Sequence, residues 1–261
     1  MWIGSASVNN DYRSARGGVK FRLYLSESKK TTTFVSRNKY SIQMKKLVIF
    51  DLDGTLLNTI ADLAQSTNYA LQTLGYPTHD TAAYRFMVGN GINKLFERAL
   101  PEGEKNEANV LRVRAAFIPY YNQHNADLST PYEGIPQLLD TLQQQGLLLA
   151  VASNKYQAAT EQLIAHYFPT IRFSLVLGQR EGIPTKPDPS IVHQILATTG
   201  VEAADVLYVG DSGVDMQTAA NAGVTACGVT WGFRPRAELE QFTPQHLVDF
   251  PDEIGKIALQ Q

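Results

Sequence analysis

The segment Asp51-Leu52-Asp53-Gly54-Thr55-Leu56 sets two carboxylates two residues apart. In an extended backbone residues i and i+2 share a face, so Asp51 and Asp53 can approach one ligand. Gly54 permits a turn or a close backbone approach, and Thr55 adds a hydroxyl. Two carboxylates so crowded repel by about 4 kcal/mol at about 4 Å and an effective dielectric near 20. They need a cation, a proton or both, although a plain surface turn after a strand uses the same residue types. A second acidic cluster is Gly210-Asp211-Ser212-Gly213-Val214-Asp215. Asp211 closes an apolar run, and Asp215 lies near the start of a helical run, where an acid is also ordinary capping chemistry. Ser153-Asn154 closes another apolar run. Lys186 sits among Pro184, Pro187 and Pro189. A lysine held in a stiff loop suits a phosphate better than a freely solvated one.

These groups need strands to bring them together. Leu47 to Phe50, Leu147 to Ala152 and Val206 to Val209 are short apolar runs that read as buried strands. Phe173 to Leu177 and Thr225 to Val229 are weaker candidates. Helical patterns lie between them. Ile135, Leu138, Leu139 and Leu142 follow i, i+3, i+4, i+7, and 189–199 starts after a proline and stops at Gly200. Alternation of strand and helix from about residue 130 onward implies βαβ units on a parallel sheet. In open α/β sheets ligands bind outside the carboxyl ends of the strands. Asp51, Ser153-Asn154 and Asp211 therefore converge on one edge.

Residues 60–130 break this rhythm. Ile60, Leu63, Ala64, Leu71 and Leu74 predict one helix, ended by Gly75 and Pro77. Ile92, Leu95, Phe96, Ala99 and Leu100 predict another. Val110, Val113 and Phe117 predict a third, with Pro119 limiting or kinking it. No strand pattern appears there.

Composition narrows the class. The 261 residues carry a net charge of -2, without the basic excess of a nucleic-acid binder. The longest apolar run has six residues, far short of the roughly 20 that cross a membrane. One cysteine, Cys227, excludes an internal disulfide framework and a metal site built on a cysteine cluster. Residues 1–43 hold eight basic and two acidic groups and end before Met44, whereas the remainder is acidic. This head is read as an extension apart from the fold: a disordered tail, a mis-assigned start or a targeting segment. The cytosol is the expected compartment unless the head proves to be targeting.

Four pieces in order, Asp51-Leu52-Asp53-Gly54-Thr55, Ser153 after an apolar strand, Lys186 in Lys-Pro-x-Pro and Gly210-Asp211-x-x-x-Asp215, resemble the haloacid dehalogenase superfamily of phosphohydrolases over about residues 44–250. Within it, Val88-Gly89-Asn90-Gly91, Phe96-Glu97-Arg98-Ala99-Leu100 and Gly228-Val229-Thr230-Trp231-Gly232 look most like the phosphoglycolate phosphatase group. Family members often carry an acid at the position of Asn58, a departure that bears on the cap hinge or entrance charge. The resemblance implies an α/β fold, a doubly wound parallel Rossmann-like sheet formed by 44–59 and 131–261, with an α-helical cap inserted at 60–130.

It also implies a set of roles. Asp51 would be the nucleophile and Asp53 the general acid and base. Thr55, Ser153, Asn154 (through nearby backbone amides) and Lys186 would bind the phosphoryl group. Mg²⁺ would be held by Asp51, the Asp53 backbone carbonyl and Asp211, with Asp215 orienting the shell around it. None of the five histidines pairs at metal-ligand spacing, which disfavours zinc. The expected partner is a small phosphorylated metabolite, 2-phosphoglycolate first, with sugar phosphates, nucleotides and pyrophosphate as alternatives. Arg85, Asn90 and Lys94, with Tyr84 and Asn93, are candidates for reading it, or are simply solvated helix surface. A phosphosugar mutase would share the core motifs, but such mutases usually have Val or Ile where this chain has Thr55. A receiver domain is shorter and capless, and a catalytically dead phosphate-binding regulator would not need every core residue. The oligomeric state is left open by the sequence.

Overall fold

The computed structural model describes residues 44–260; the expectations for residues 1–43 lie outside them. The central element is β1 (Leu47–Phe50), fully buried. Its alternation decides both cores. Val48 and Phe50 face one side of the sheet, Leu47 and Ile49 the other. Two short strands, β2 (Leu57–Asn58) and β3 (Thr130–Pro131), pair antiparallel where the chain leaves and re-enters the sheet domain. Between them lie α1 (Ile60–Thr73), α2 (Ile92–Ala99) and α3 (Glu107–His124), with 3-10 turns at Thr81–Phe86 and Glu102–Glu104.

After β3 come α4 (Ile135–Gln144), β4 (Leu148–Tyr156), α5 (Gln157–Tyr167), β5 (Phe173–Gln179) and α6 (Ser190–Thr199). The chain ends with β6 (Val206–Gly210), α7 (Gly213–Ala222), β7 (Thr225–Val229), α8 (Arg236–Glu240), β8 (His246–Val248) and α9 (Pro251–Leu259). The parallel sheet runs β5-β4-β1-β6-β7-β8. From β1 the connections proceed to β4 and β5 on one side and to β6, β7 and β8 on the other. The switch point for ligand binding is thus at β1. Leu138, Leu139 and Leu142 of α4, Leu163 of α5 and Ile254 of α9 cover one face. Ile191 and Ile195 of α6 and Met216 and Ala219 of α7 cover the other. The predicted doubly wound sheet with a helical cap is the observed architecture.

The helical insertion has its own core of Leu63, Leu71, Tyr84, Phe96, Val113, Phe117 and Tyr121. Asp62 anchors its return. Its buried carboxylate accepts hydrogen bonds from Leu128 N, Ser129 N and Ser129 Oγ. Differences from the sequence reading are local. β4 continues four residues beyond Ala152, carrying the polar Ser153-Asn154-Lys155 inside the strand. The helix predicted around Val110 to Phe117 does not stop at Pro119, which lies inside α3. Pro119 and Ala115, whose carbonyl it leaves unpaired, are exposed, so water can satisfy that carbonyl while Val113, Phe117 and Tyr121 hold the buried face.

Candidate active site

Asp51 follows the last residue of β1, and its N–H donates to Val209 O at 2.9 Å. Phe50 lies level with Val151 of β4 and Val209 of β6, so Asp51 emerges beside the ends of both neighbours. The chain then folds back tightly. Leu56 and Leu57 donate their N–H groups to Leu52 O, and Gly54 N donates to Leu57 O. Gly54 has φ +88°, and a side chain there would run into Asp211 Oδ2. Gly232 is equally constrained, since an added Cβ would lie 2.2 Å from Asp211 Cβ. Two glycines from distant loops thus make room for the Asp211 carboxylate, and Phe233 N donates to its Oδ2 at 2.7 Å.

Asp215 enters through the first turn of α7. Its Oδ2 accepts from Ser212 N and Ser212 Oγ, a reciprocal capping box that fixes the carboxylate. Its Oδ1 accepts from Lys186 Nζ at 2.7 Å and from the Tyr208 hydroxyl at 3.3 Å. Lys186, buried, also donates to Ala152 O at 2.9 Å and lies 3.0 Å from Asp51 Oδ1, close enough for an ion pair but without hydrogen-bond alignment. Burial works against the lysine's charge, but Asp215 and Asp51 outweigh it and hold Lys186 well above the usual lysine range.

Asp51, Asp211 and Asp215 are all buried, and each offers one oxygen within 4.8 Å of the others. Burial pushes Asp51 up to about 7, opposed by Lys186 and assisted by Asp215 and Asp53. Burial, with Asp215 and Asp51, drives Asp211 well above the ordinary carboxylate range. Three acids against one lysine leave an excess of negative charge in a low-dielectric space. That electrostatic shortfall, the all-oxygen donor set and the glycine-lined room around Asp211 fit a small divalent cation such as Mg²⁺.

The remaining predicted residues fall in two groups. Ser153 and Thr55 are buried at the site. The Ser153 Oγ accepts from Lys155 N, and the Thr55 hydroxyl has no hydrogen-bond partner among the described residues. Asn154 uses its side chain as a clamp. Nδ2 donates to Gly89 O and Lys186 O, and Oδ1 accepts from Lys186 N, so one amide ties the helical insertion to the lysine loop. Asp53 turns away from the three-acid cluster. Its Oδ1 accepts from Thr59 Oγ1 at 2.6 Å, and Lys155 Nζ lies 3.0 Å from both its oxygens. Arg85, Asn90 and Lys94 stand outside the cavity lining. Arg85 donates to Gly232 O, Asn90 accepts from Arg98, and Lys94 pairs with Glu97 on the exposed side of α2.

The cavity above Asp51 measures about 50 Å³, room for a few water-sized groups. Beyond Asp51, Asp53, Asp211 and Ser153 it is lined by Val88, Gly89 and Leu95 from the insertion and by Lys155, Phe233 and Arg234 from the sheet domain, among others. Lys155 and Arg234 are cavity-lining residues that the motifs do not contain. Arg234 donates to Arg85 O and Val88 O while Arg85 donates to Gly232 O, a reciprocal strap between the two parts. For Lys155 the available signal was its place directly after Ser153-Asn154 at a strand end. For Arg234 there was only its closeness to Trp231-Gly232.

Known proteins carry the same framework. The family model for haloacid dehalogenase-like hydrolases matches residues 48–229. This chain belongs to the haloacid dehalogenase-like hydrolase family. The phosphoglycolate phosphatase of Vibrio parahaemolyticus is 32% identical over 218 residues, covering 82% of this chain and 96% of that protein. That of Mesorhizobium japonicum is 31% identical over 212 residues, covering 80% and 93%. A crystal structure from Lactobacillus delbrueckii subsp. bulgaricus superposes with a TM-score of 0.79 at 31% identity, covering 84% of this chain and all of that one. The phosphate complex of CbbY from Rhodobacter sphaeroides, at 22% identity and a TM-score of 0.71, covers 84% of this chain and 100% of its own and shares the fold. Like these relatives the chain is a hydrolase, and none of its described helices is long and apolar enough to cross a membrane.

Proposed function

We propose that this hydrolase is an Mg²⁺-dependent phosphatase of small phosphomonoesters, that it works through an aspartyl phosphate on Asp51, and that 2-phosphoglycolate is the first substrate to test. The observation that carries the reading is the meeting of buried Asp51, Asp211, Asp215 and Lys186 at one strand edge, the three acids within 4.8 Å of one another and Lys186 within ion-pair distance of Asp51 and Asp215. The named activity of the Vibrio and Mesorhizobium relatives supports the substrate class.

In the proposed sequence an Asp51 carboxylate oxygen attacks phosphorus and the bond to the leaving oxygen breaks. Asp53 swings from Thr59 and Lys155, takes up a proton from solvent and delivers that proton to the leaving oxygen. It then accepts a proton from water as the water oxygen attacks the aspartyl phosphate, releasing inorganic phosphate and restoring Asp51. Lys186, Ser153 and the backbone near Asn154 face the phosphoryl oxygens, whose charge spreads in the transition state. Asp51, the Asp53 carbonyl and Asp211 would hold Mg²⁺, with Asp215 steadying the cluster, and the ion supplies neutralisation of the phosphoryl charge when bound. Phosphomonoester hydrolysis needs a barrier reduction beyond about 23 kcal/mol, so water must be excluded. The helical insertion, treated as a cap over 60–130, supplies that exclusion through the Asn154 clamp and the arginine strap.

A hydrolysis screen over small phosphomonoesters with Mg²⁺ tests this reading. Turnover that is lost in EDTA and recovered with Mg²⁺, with 2-phosphoglycolate among the best substrates, is expected. Full turnover in excess EDTA contradicts the metal assignment. A rank for phosphoglycolate below several sugar phosphates overturns the substrate and leaves the phosphatase.

A further inference from the structure

Lys155 is a buried ammonium group without an obvious need to be there. Its side chain is 3% exposed, although lysine is rarely buried unless paired. The backbone around it is built to hold it. Lys155 O accepts from Thr160 Oγ1, and Gly178 comes so near that an added Cβ would sit 2.6 Å from that oxygen. Nζ then reaches forward between two parts of the molecule. It is 3.0 Å from both Asp53 oxygens and 4.8 Å from the ring centre of Tyr121, which belongs to α3 of the cap. The Tyr121 hydroxyl is buried and has no hydrogen-bond partner among the described residues. Lys155 and Tyr121 both line the cavity above Asp51.

The pairing with Asp53 cannot persist through turnover. Asp53 must give up Lys155 and Thr59 to reach a leaving oxygen. A buried ammonium left without an anion is strongly unfavourable. The other cationic residue lining the cavity, Arg234, is already committed to Arg85 O and Val88 O and lies near Glu238. The rest of the cap-side lining is largely apolar, with Leu63, Val88, Ile92, Leu95 and Phe117.

We infer that Lys155 is the specificity-determining residue of the cavity: a carboxylate on the substrate's leaving group takes the place of Asp53 at Lys155, with the Tyr121 hydroxyl as a second donor, and frees Asp53 for proton transfer. This rests on the phosphatase reading above. It assigns an anion preference to a core residue rather than to Arg85, Asn90 or Lys94. A neutral leaving group of the same size would release Asp53 only by leaving Lys155 unpaired, so it would be turned over slowly. Because Tyr121 comes from α3, the exchange also requires the cap to be in place.

The test compares 2-phosphoglycolate with 2-hydroxyethyl phosphate, which has similar size and no carboxylate, on wild type, Lys155→Met, Lys155→Arg and Tyr121→Phe. Wild type is expected to prefer phosphoglycolate in kcat/KM by roughly 10- to 100-fold, the scale of a charge-assisted hydrogen bond. Lys155→Met should collapse that ratio toward one, Lys155→Arg should keep most of it, and Tyr121→Phe should reduce it by a smaller factor. If Lys155 serves only to position Asp53, Lys155→Met lowers both substrates alike and the ratio is unchanged, which overturns the inference. A wild-type enzyme that hydrolyses both esters equally overturns it without any variant, and leaves the phosphatase reading intact. Hydrolysis of neither, nor of an aryl phosphate, removes the phosphatase reading itself.

Discussion

The sheet edge and the cap-facing wall solve different electrostatic problems. At the edge, Asp51, Asp211 and Asp215 cluster beside one lysine; both Asp215 oxygens and one Asp211 oxygen are fixed by named donors, Ser212 N, Ser212 Oγ, Tyr208, Lys186 and Phe233 N, while Asp51 Oδ1 has no hydrogen-bond donor among the described residues. On the cap side the charged groups mostly satisfy one another or bind backbone, as Lys94 does with Glu97, Arg98 with Asn90 and Arg234 with Arg85 O and Val88 O. The first arrangement stores negative charge and leaves an excess that a cation can meet. The second spends its charges on closure. Chemistry common to all phosphomonoesters belongs to the edge, and the choice among them belongs to the few groups, chiefly Lys155 and Tyr121, that bridge the two.

The sharpest way to break this division is at Asp211. Asp211→Ala removes one of the three clustered carboxylates and should eliminate turnover or raise the Mg²⁺ requirement by at least about a hundredfold, a scale appropriate to losing an ionic ligand in a buried site. Mg²⁺ titration of activity measures this, and an unchanged requirement would remove Asp211 from the metal site.

A smaller effect is expected at Gly232. Gly232→Ala drives a methyl group against Asp211 and Gly54 O. Overpacking of this kind costs about 1–3 kcal/mol, so thermal unfolding should show a loss of stability together with weaker Mg²⁺ activation. An equivalent substitution at exposed Gly103, where an added Cβ meets nothing within 4 Å, is the control.

The smallest effect concerns pH. Burial raises Asp51 from the ordinary 3.8 to about 7 in the metal-free protein. A carboxylate whose folded value is raised contributes stability that is present below its unfolded value and lost as the pH climbs through the folded one. On the proposed metal assignment Mg²⁺ would bind the ionised form and offset that cost. The rise in melting temperature on adding Mg²⁺ should therefore be larger at about pH 8 than at about pH 5.5. A rise independent of pH would separate Asp51 from the metal site.

The sheet was legible because β1, β4, β6 and β7 are apolar runs whose neighbours are turns or helices, and β7 spans Thr225–Val229 as the sequence suggests. β2, β3 and β8 have two or three residues, too few for a period to appear. The four motif segments were legible because their residue types are costly to place together without a purpose. Lys155 was not, since a lysine after a strand reads as solvated, and the tertiary packing of Tyr121 and Gly178 against it leaves no mark in the local sequence. Arg234 was hidden for a related reason: its partners are carbonyl oxygens of Arg85 and Val88, and backbone acceptors leave no mark in a sequence.

The central claim is that Asp51 becomes phosphorylated. An Asp53→Asn variant should still permit attack on an aryl phosphate, whose leaving group needs little protonation, while removing the base that activates water. Rapid acid quench of this variant with substrate and Mg²⁺, followed by peptide mass spectrometry, is predicted to find one phosphoryl group on the peptide containing Asp51, and none when Asp51→Asn is added. A phosphoryl group on any other residue, or single-turnover hydrolysis without a phosphorylated peptide, would contradict it.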